Sequence, residues 1–508
     1  MARRAVAIMR CLPAWLTAAL VLTLTLGTLI AVALRAEAGR GLTPGDWSAI
    51  RFTVMQAAAS AVASVTLAIP VARALARRQF RGRGALVMLL GAPFILPVIV
   101  AVLGLLAVFG RGGLLNAGLE ALGFGSVSIY GAGGVILAHV FFNLPLAVRL
   151  VLQGWLSIPS ERFRLAAQLN APIWRILEVP MLARHAPGAL LVIFLICLTS
   201  FAVALTLGGG PRATTVELAI WQAIRFDFDL GRAALLACVQ FALCAAAALV
   251  AWRITPLSGF GRGLDRTVAR WDQSRWDWGW LLLVTLFIVL PLAMILWRGL
   301  PSLPDLGPDI YRAAGRSAGV AVAATALTLV GALALSLYGG GLVIVVGALP
   351  LAASALVMGT GLFVIVFPFV NPVTVALPVT VAVNAVMAMP FALRLLSPAV
   401  IDIRSDYGPL AANLALGSWA TLRLVILPRL RKPLGYAAGL TMALSIGDLG
   451  VVALFATPAQ ETLPLAMYRL MGAYRMDAAA GAAVLLLFMA LGAFWICDSR
   501  GQGDADAG

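Results

Sequence analysis

The chain reads as an all-α membrane protein, with about twelve transmembrane helices in two homologous six-helix halves. Two observations carry that expectation. Of 508 residues, 62% are hydrophobic and 11% charged. Soluble domains carry roughly 25% charged residues, so most of this chain must be solvated by lipid. The second observation is an internal duplication. Leu165-Ala166-Ala167-Gln168-Leu169 with Trp174 returns 245 residues later as Leu410-Ala411-Ala412-Asn413-Leu414 with Trp419. The same offset carries Pro145-Leu146-Ala147-Val148-Arg149-Leu150 onto Pro390-Phe391-Ala392-Leu393-Arg394-Leu395, and Ser200 onto Ser445. A duplicated apolar unit with a polar loop is the mark of a transporter built from matched halves.

Spans follow from counting about 20 mostly apolar residues per crossing. They fall near 12–34, 52–75, 85–109, 131–153, 187–208, 231–252, 278–299, 315–337, 342–368, 373–396, 434–456 and 479–497. The first is too long for a signal-peptide core and reads as a retained helix. Residues 1–252 form the first half and 278–497 the second. A basic linker, 253–277, joins them, with Trp271, Trp276, Trp278 and Trp280 as interfacial anchors. A polar C-tail, 498–508, closes the chain.

Orientation follows from arginine. With the N-terminus inside, the inner segments collect 21 Lys and Arg and the outer loops eight. The positive-inside rule then puts both termini in the cytoplasm, together with the long loops 154–186 and 397–433. The net charge of +16 is absorbed by this topology, and no basic run interleaved with aromatics suggests a nucleic-acid partner. Cys11, Cys197, Cys238, Cys244 and Cys497 have no ligand spacing, and His139 and His185 are isolated, so no metal site is expected. No GxxxxGK[ST] element exists to cradle a nucleotide. The chain is therefore not an enzyme, and it carries no cofactor.

The two long loops are too patterned for plain turns. In the first, Ser160 is a candidate N-cap for a short helix over Glu161–Leu169. Asn170 then turns the chain, since Asn tolerates a left-handed backbone. In the second, Pro409 opens the helix. Ala415 stands opposite Asn170, and Gly417 is the alternative turn residue. The small Ala166, Ala167, Ala411 and Ala412 would let another surface approach closely, as in docking to a partner with two matched subunits.

These loops resemble the Glu-Ala-Ala coupling loops of ABC-type importer permeases, in degenerate form. The family Glu falls on Arg164 and Pro409, and its Ala pair on Leu165-Ala166 and Leu410-Ala411. Its Gly falls on Asn170 and Ala415, and its terminal Pro on Pro428 in the second loop only. The flanks are more specific. They comprise Ser200-Phe201-Ala202 and the stretch from Leu207 through Pro211 to Asp229. In the second half they run over Leu444-Ser445-Ile446-Gly447-Asp448-Leu449-Gly450, Glu461-Thr462-Leu463-Pro464 and Gly472-Ala473-Tyr474-Arg475. Together they resemble the ThiP-type permeases of thiamine / thiamine pyrophosphate importers, inner-membrane components of binding-protein-dependent transport systems. The resemblance implies a type I ABC importer permease in a bacterial inner membrane. It also implies a cytoplasmic ABC ATPase dimer that uses ATP and Mg, and a periplasmic thiamine-binding protein. Iron(III) or polyamine cargo within the same class is the alternative, and a twelve-helix secondary transporter a further one.

Few residues suit a transport path. Asp448, near the outer end of an apolar span, is either a path carboxylate for a cationic cargo, or a helix-end cap or an ion pair with an arginine such as Arg475. Asn143 with Pro145 and Asn384 with Pro390 mark kinks that could line the path. Arg149 and Arg394 are expected to snorkel. Glu217, Asp227 and Asp229 fall in an outer loop, as docking-surface or solvated residues.

Overall fold

The computed structural model describes residues 2–254 and 274–502, apart from 38, 40, 92–94, 209, 342, 344, 345, 348, 351 and 352. The expected linker therefore lies mostly, and the C-tail partly, outside the described residues. Lipid supplies no hydrogen-bond partners, so a spanning segment must pair its own backbone. The chain meets that demand with helices alone: no strand occurs among the described residues. Eleven helices there are long and apolar enough to cross a membrane. They are α1 (Leu12–Arg35), α2 (Pro44–Arg77), α3 (Val98–Ala121), α4 (Ala132–Leu156), α5 (Trp174–Leu198) and α6 (Leu230–Ala251). There follow α7 (Trp276–Gly299), α8 (Pro308–Tyr338), α9 (Pro372–Asn413), α10 (Ser418–Phe455) and α11 (Met476–Ser499). The protein is an all-α membrane protein.

Local chemistry sets several ends. Thr43 caps α2 through a reciprocal capping box with Asp46, and Pro44 occupies the first turn. The expected span 85–109 is split into Arg83–Leu89 and Val98–Phe109. Pro97, which has no N–H to give, stands at the start of the second piece. The expected long span 342–368 yields, among the described residues, a 12-residue apolar helix, Ala355–Val366. Ser354 caps it by accepting from Val357 N–H.

The chain forms two compact units. One comprises Met1–Arg40, Ile220–Phe241 and Ser302–Gly508; the other comprises Gly41–Ala219 and Ala242–Pro301. In the first, α1 packs on α8 and on Ala355–Val366; in the second, α7 packs on α2 and α3. Each half thus lends its opening helix to the unit built mainly from the other half's residues.

Glycine makes both of these seats. A Cβ at Gly104 would stand 2.7 Å from the Pro291 carbonyl oxygen of α7. A Cβ at Gly361 would stand 2.5 Å from the Thr28 carbonyl oxygen of α1. In each case the obstacle is backbone, which cannot swing aside. The start of α7 is also tied to α2: Asp277 accepts from Arg77 and, at 2.9 Å, from Arg78, whose guanidinium also covers the Trp278 ring.

Two further anchors repeat. Thr53 of α2 accepts from Val216 N–H at 2.9 Å, and Ser317 of α8 accepts from Leu463 N–H at 2.9 Å. Each hydroxyl satisfies an otherwise orphaned amide at the start of a short helix, Val216–Arg225 or Leu463–Gly472.

Gly361→Val forces α1 away from its seat and is expected to cost about 1–3 kcal/mol. Gly315→Ala, inside α8 with open space around it, is expected to stabilise by about 0.5–1 kcal/mol. Thermal unfolding of the two variants in the same detergent checks the pair.

Candidate functional site

The two long loops fold by one local rule. In the first, α4 ends at Leu156 and a separate helix runs Ser160–Gln168. In the second, α9 continues without interruption to Asn413. Both helices then stop in the same way. Asn170 and Ala415 each take φ 49°, the left-handed region. Ala171 N–H reaches Ala166 O at 2.9 Å and Asn170 N–H reaches Ala167 O at 3.2 Å. Leu416 N–H reaches Ala411 O and Ala415 N–H reaches Ala412 O, both at 3.0 Å. This is the Schellman pattern, which satisfies helix-end carbonyls through one left-handed residue.

Three expectations change here. Gly417 does not make the second turn, because its φ is −64°; Ala415 does. Pro409 does not open the second helix but lies inside it. Ser160 is the first helical residue, not the cap, and its hydroxyl donates to Glu161. The Glu161 carboxyl is held below its usual range by its own backbone amide, then by Ser160 and by nearby Arg164.

The surface differs from the expected one. Ala166 and Ala411 point inward, each 6% exposed, whereas Ala167 and Ala412 face out with Arg164. The matched outward residues are large and apolar: Leu165 and Leu410, Leu169 (69%) and Leu414 (62%), Trp174 and Trp419. Leu169 and Leu414 belong to the repeated segments, but the sequence reading gives the docking role to the small alanines beside them. Beyond the turns, both loops lead back through a π-helical segment, Trp174–Glu178 and Thr421–Ile426. Pro428 follows the second, near the start of Leu427–Ile446.

What holds each loop from beneath is not matched. In the first, buried Glu178 accepts from Arg73 Nε at 2.9 Å on both carboxylate oxygens, and from Trp155 Nε1 at 3.3 Å. The Arg73 guanidinium also lies over the Trp174 ring. The second loop rests on an apolar cluster of Leu337, Val400, Ile426 and Leu430.

The candidate path residues separate. Asn143 is buried and donates to His139 O at 2.8 Å and to Cys197 Sγ at 3.3 Å. Asn384 is buried and donates to Ser445 Oγ at 2.9 Å. Asp448 sits where α10 breaks, between Ile446 and Gly450. Its Oδ1 accepts from Gly450 N–H at 3.2 Å, and Oδ2 is buried without a partner. Arg475 is exposed and makes no ion pair with it. The cap half of the expectation is present, and the ion pair is not.

Of the outer-loop acids, Glu217 is buried and so cannot serve on a docking surface. Asp227 is exposed and pairs with Arg232 at 3.2 Å. Asp229 caps the start of α6 by accepting from Arg232 N–H. Glu461, which belongs to the family resemblance but has no role assigned from sequence, is buried and pairs with Arg469 at 2.6 Å. Burial raises its pKa, against the pull of Arg469. No cluster of three or more metal-ligating side chains occurs among the described residues.

No family model matches the chain. The thiamine transport system permease protein ThiP of Salmonella typhimurium is 38% identical over 518 residues, covering 96% of this chain and 97% of that one. The chain belongs to this permease family. The ThiP of Brucella abortus is likewise 38% identical over 523 residues, with 97% and 95% covered. That of Escherichia coli is 38% identical over 470 residues, with 87% of each chain covered. As a ThiP-family permease, the chain owes its membership to nearly its full length, duplicated loops included.

The strain at Ala415 is testable. An L-residue with a Cβ in the left-handed region costs about 1–2 kcal/mol. Ala415→Gly is therefore expected to raise stability by up to about 1 kcal/mol. Ala415→Val, β-branched at the same φ, is expected to lower it by about 1–2 kcal/mol. Urea or thermal unfolding that ranks Val at or above Ala would refute the assignment.

Proposed function

We propose that the chain is the membrane permease of an ATP-driven ABC importer for thiamine and its phosphate esters. A periplasmic binding protein hands over the cargo and a separate cytoplasmic ATPase dimer powers transport. The identity with permeases named for thiamine transport, held over 96% of the chain, carries the cargo reading. The two outward apolar loop faces carry the partner reading. Leu165, Leu169 and Trp174 recur as Leu410, Leu414 and Trp419, and one such face per half suits a partner with two like subunits.

The chain has no phosphate-cradling element of its own, so the energy must arrive through contact. The positive-inside bias puts both loops and both termini in the cytoplasm, in a bacterial inner membrane. In this reading, ATPase closure draws the loops together and the permease alternates between outward and inward access. Swapping the cognate binding protein for an iron(III) or polyamine binding protein in proteoliposomes tests the cargo. Uptake of the swapped cargo instead of thiamine would overturn it.

The docking assignment has its own test. Leu169→Arg with Leu414→Arg changes two exposed positions, so the melting temperature should move little. Permease-stimulated ATP hydrolysis should fall by about tenfold or more, since charges at an apolar contact must be desolvated unpaired. Undiminished stimulation would place the ATPase elsewhere.

A further inference from the structure

Three carboxylates buried in this protein are paired with arginines. Glu178 has Arg73, Asp277 has Arg77 and Arg78, and Glu461 has Arg469. Asp448 has no arginine partner among the described residues. Its Oδ1 is used by Gly450 N–H, but Oδ2 is buried with neither a hydrogen-bond partner nor a cation among the described residues. A carboxylate met only by the backbone amides of Gly450 and Val451, with no cation beside it, is costly inside an apolar bundle.

Its setting adds a second observation. Asp448 lies in the non-helical gap of a spanning helix, after Leu427–Ile446 and before Gly450–Phe455. Irregular backbone at membrane depth is tolerated where it lines a cavity or meets a bound group. One turn below, Asp448 N–H reaches Ser445 O at 3.4 Å, and the Ser445 hydroxyl takes the Asn384 amide. A polar seam thus runs from α9 through Ser445 to the break, with a single open acceptor at its end, Asp448 Oδ2. The short helix beyond the break is fixed by packing against Ala355–Val366 and α9, with Phe455 edge-on to Phe363, so the gap itself is held in place.

We propose that Asp448 Oδ2 is a subsite for the positive charge of an organic cation in transit, with Ser445 and Asn384 positioning the break. The inference rests on the importer reading above and deepens it: the cationic ring of thiamine is the group recognised. The carboxylate supplies a charge partner that the chain itself withholds, and one carboxylate without a nearby arginine favours a monocation over a phosphate-bearing end.

The test uses the assembled transporter with its ATPase and binding protein in proteoliposomes. Uptake of thiamine is compared with uptake of a neutral isostere in which thiophene replaces thiazolium. Asp448→Asn should lower the ratio of thiamine to isostere uptake by about tenfold, the scale of one lost charge-assisted contact. Asp448→Glu should restore much of it. An Asn variant that slows both compounds in parallel would show a helix cap alone and overturn the subsite. So would an unchanged ratio. Wild-type transporter that moves no thiamine would overturn the importer reading and the cargo assignment with it. Melting temperatures of both variants separate misfolding from lost recognition, and an Asn variant with native melting and native ratio is fatal to the proposal.

Discussion

Lipid's refusal to hydrogen-bond governs everything else in this chain. With no water to accept a carbonyl or donate to an amide, each crossing must be a helix that pairs its own backbone. Departures from the helix are then costly, and every one needs a local remedy. The remedies are visible: a threonine and an aspartate closing the start of α2, hydroxyls of Thr53 and Ser317 meeting distant amides, and left-handed residues ending the loop helices. Where the remedy comes from far along the sequence it also fixes tertiary structure, so satisfying the backbone and building the fold become one process.

The same economy explains how α1 and α7 are held. Between helices in lipid there is little hydrophobic drive, and close packing must supply the attraction. Gly104 and Gly361 allow that approach, each letting a neighbouring carbonyl come within what would be Cβ distance. The two glycines stand in corresponding helices of the two halves. Duplication therefore preserved a way of seating a helix, and with it the exchange of opening helices between units.

Much of this was legible in the sequence. Apolar length gave the spans, and a constant offset of 245 residues exposed the loops. Asn170 was read as a turn because Asn tolerates positive φ. In the second loop the sequence leaves the turn open between Ala415, at the position of Asn170, and Gly417, because alanine does not favour that conformation. Only the hydrogen bonds into Ala411 and Ala412 reveal that the helix end outweighs the residue's preference. Direction of side chains was likewise hidden. Alternating small and large residues say that a helix has two faces, but not that Ala166 and Ala411 are the inner one. Glu217 is expected on the outer surface from its charge and is buried, since charge alone does not reveal burial.

The halves part company where the loops are anchored. Beneath the first loop is a carboxylate bound by Arg73 and Trp155; beneath the second is aliphatic packing around Val400 and Ile426. These are different mechanical joints. A buried ion pair is directional, and losing its geometry leaves a charge stranded. An aliphatic cluster has no preferred angle and tolerates small slides. The first π-helical segment is thus held to α2 at a fixed orientation, while the second can shift against α8 and α9 at little cost. A symmetric push on the two loops would not reach the two units equally. The polar break at Asp448 lies in the unit that contains the aliphatic joint, so the more compliant loop shares its unit with the one buried carboxylate oxygen left unpartnered among the described residues.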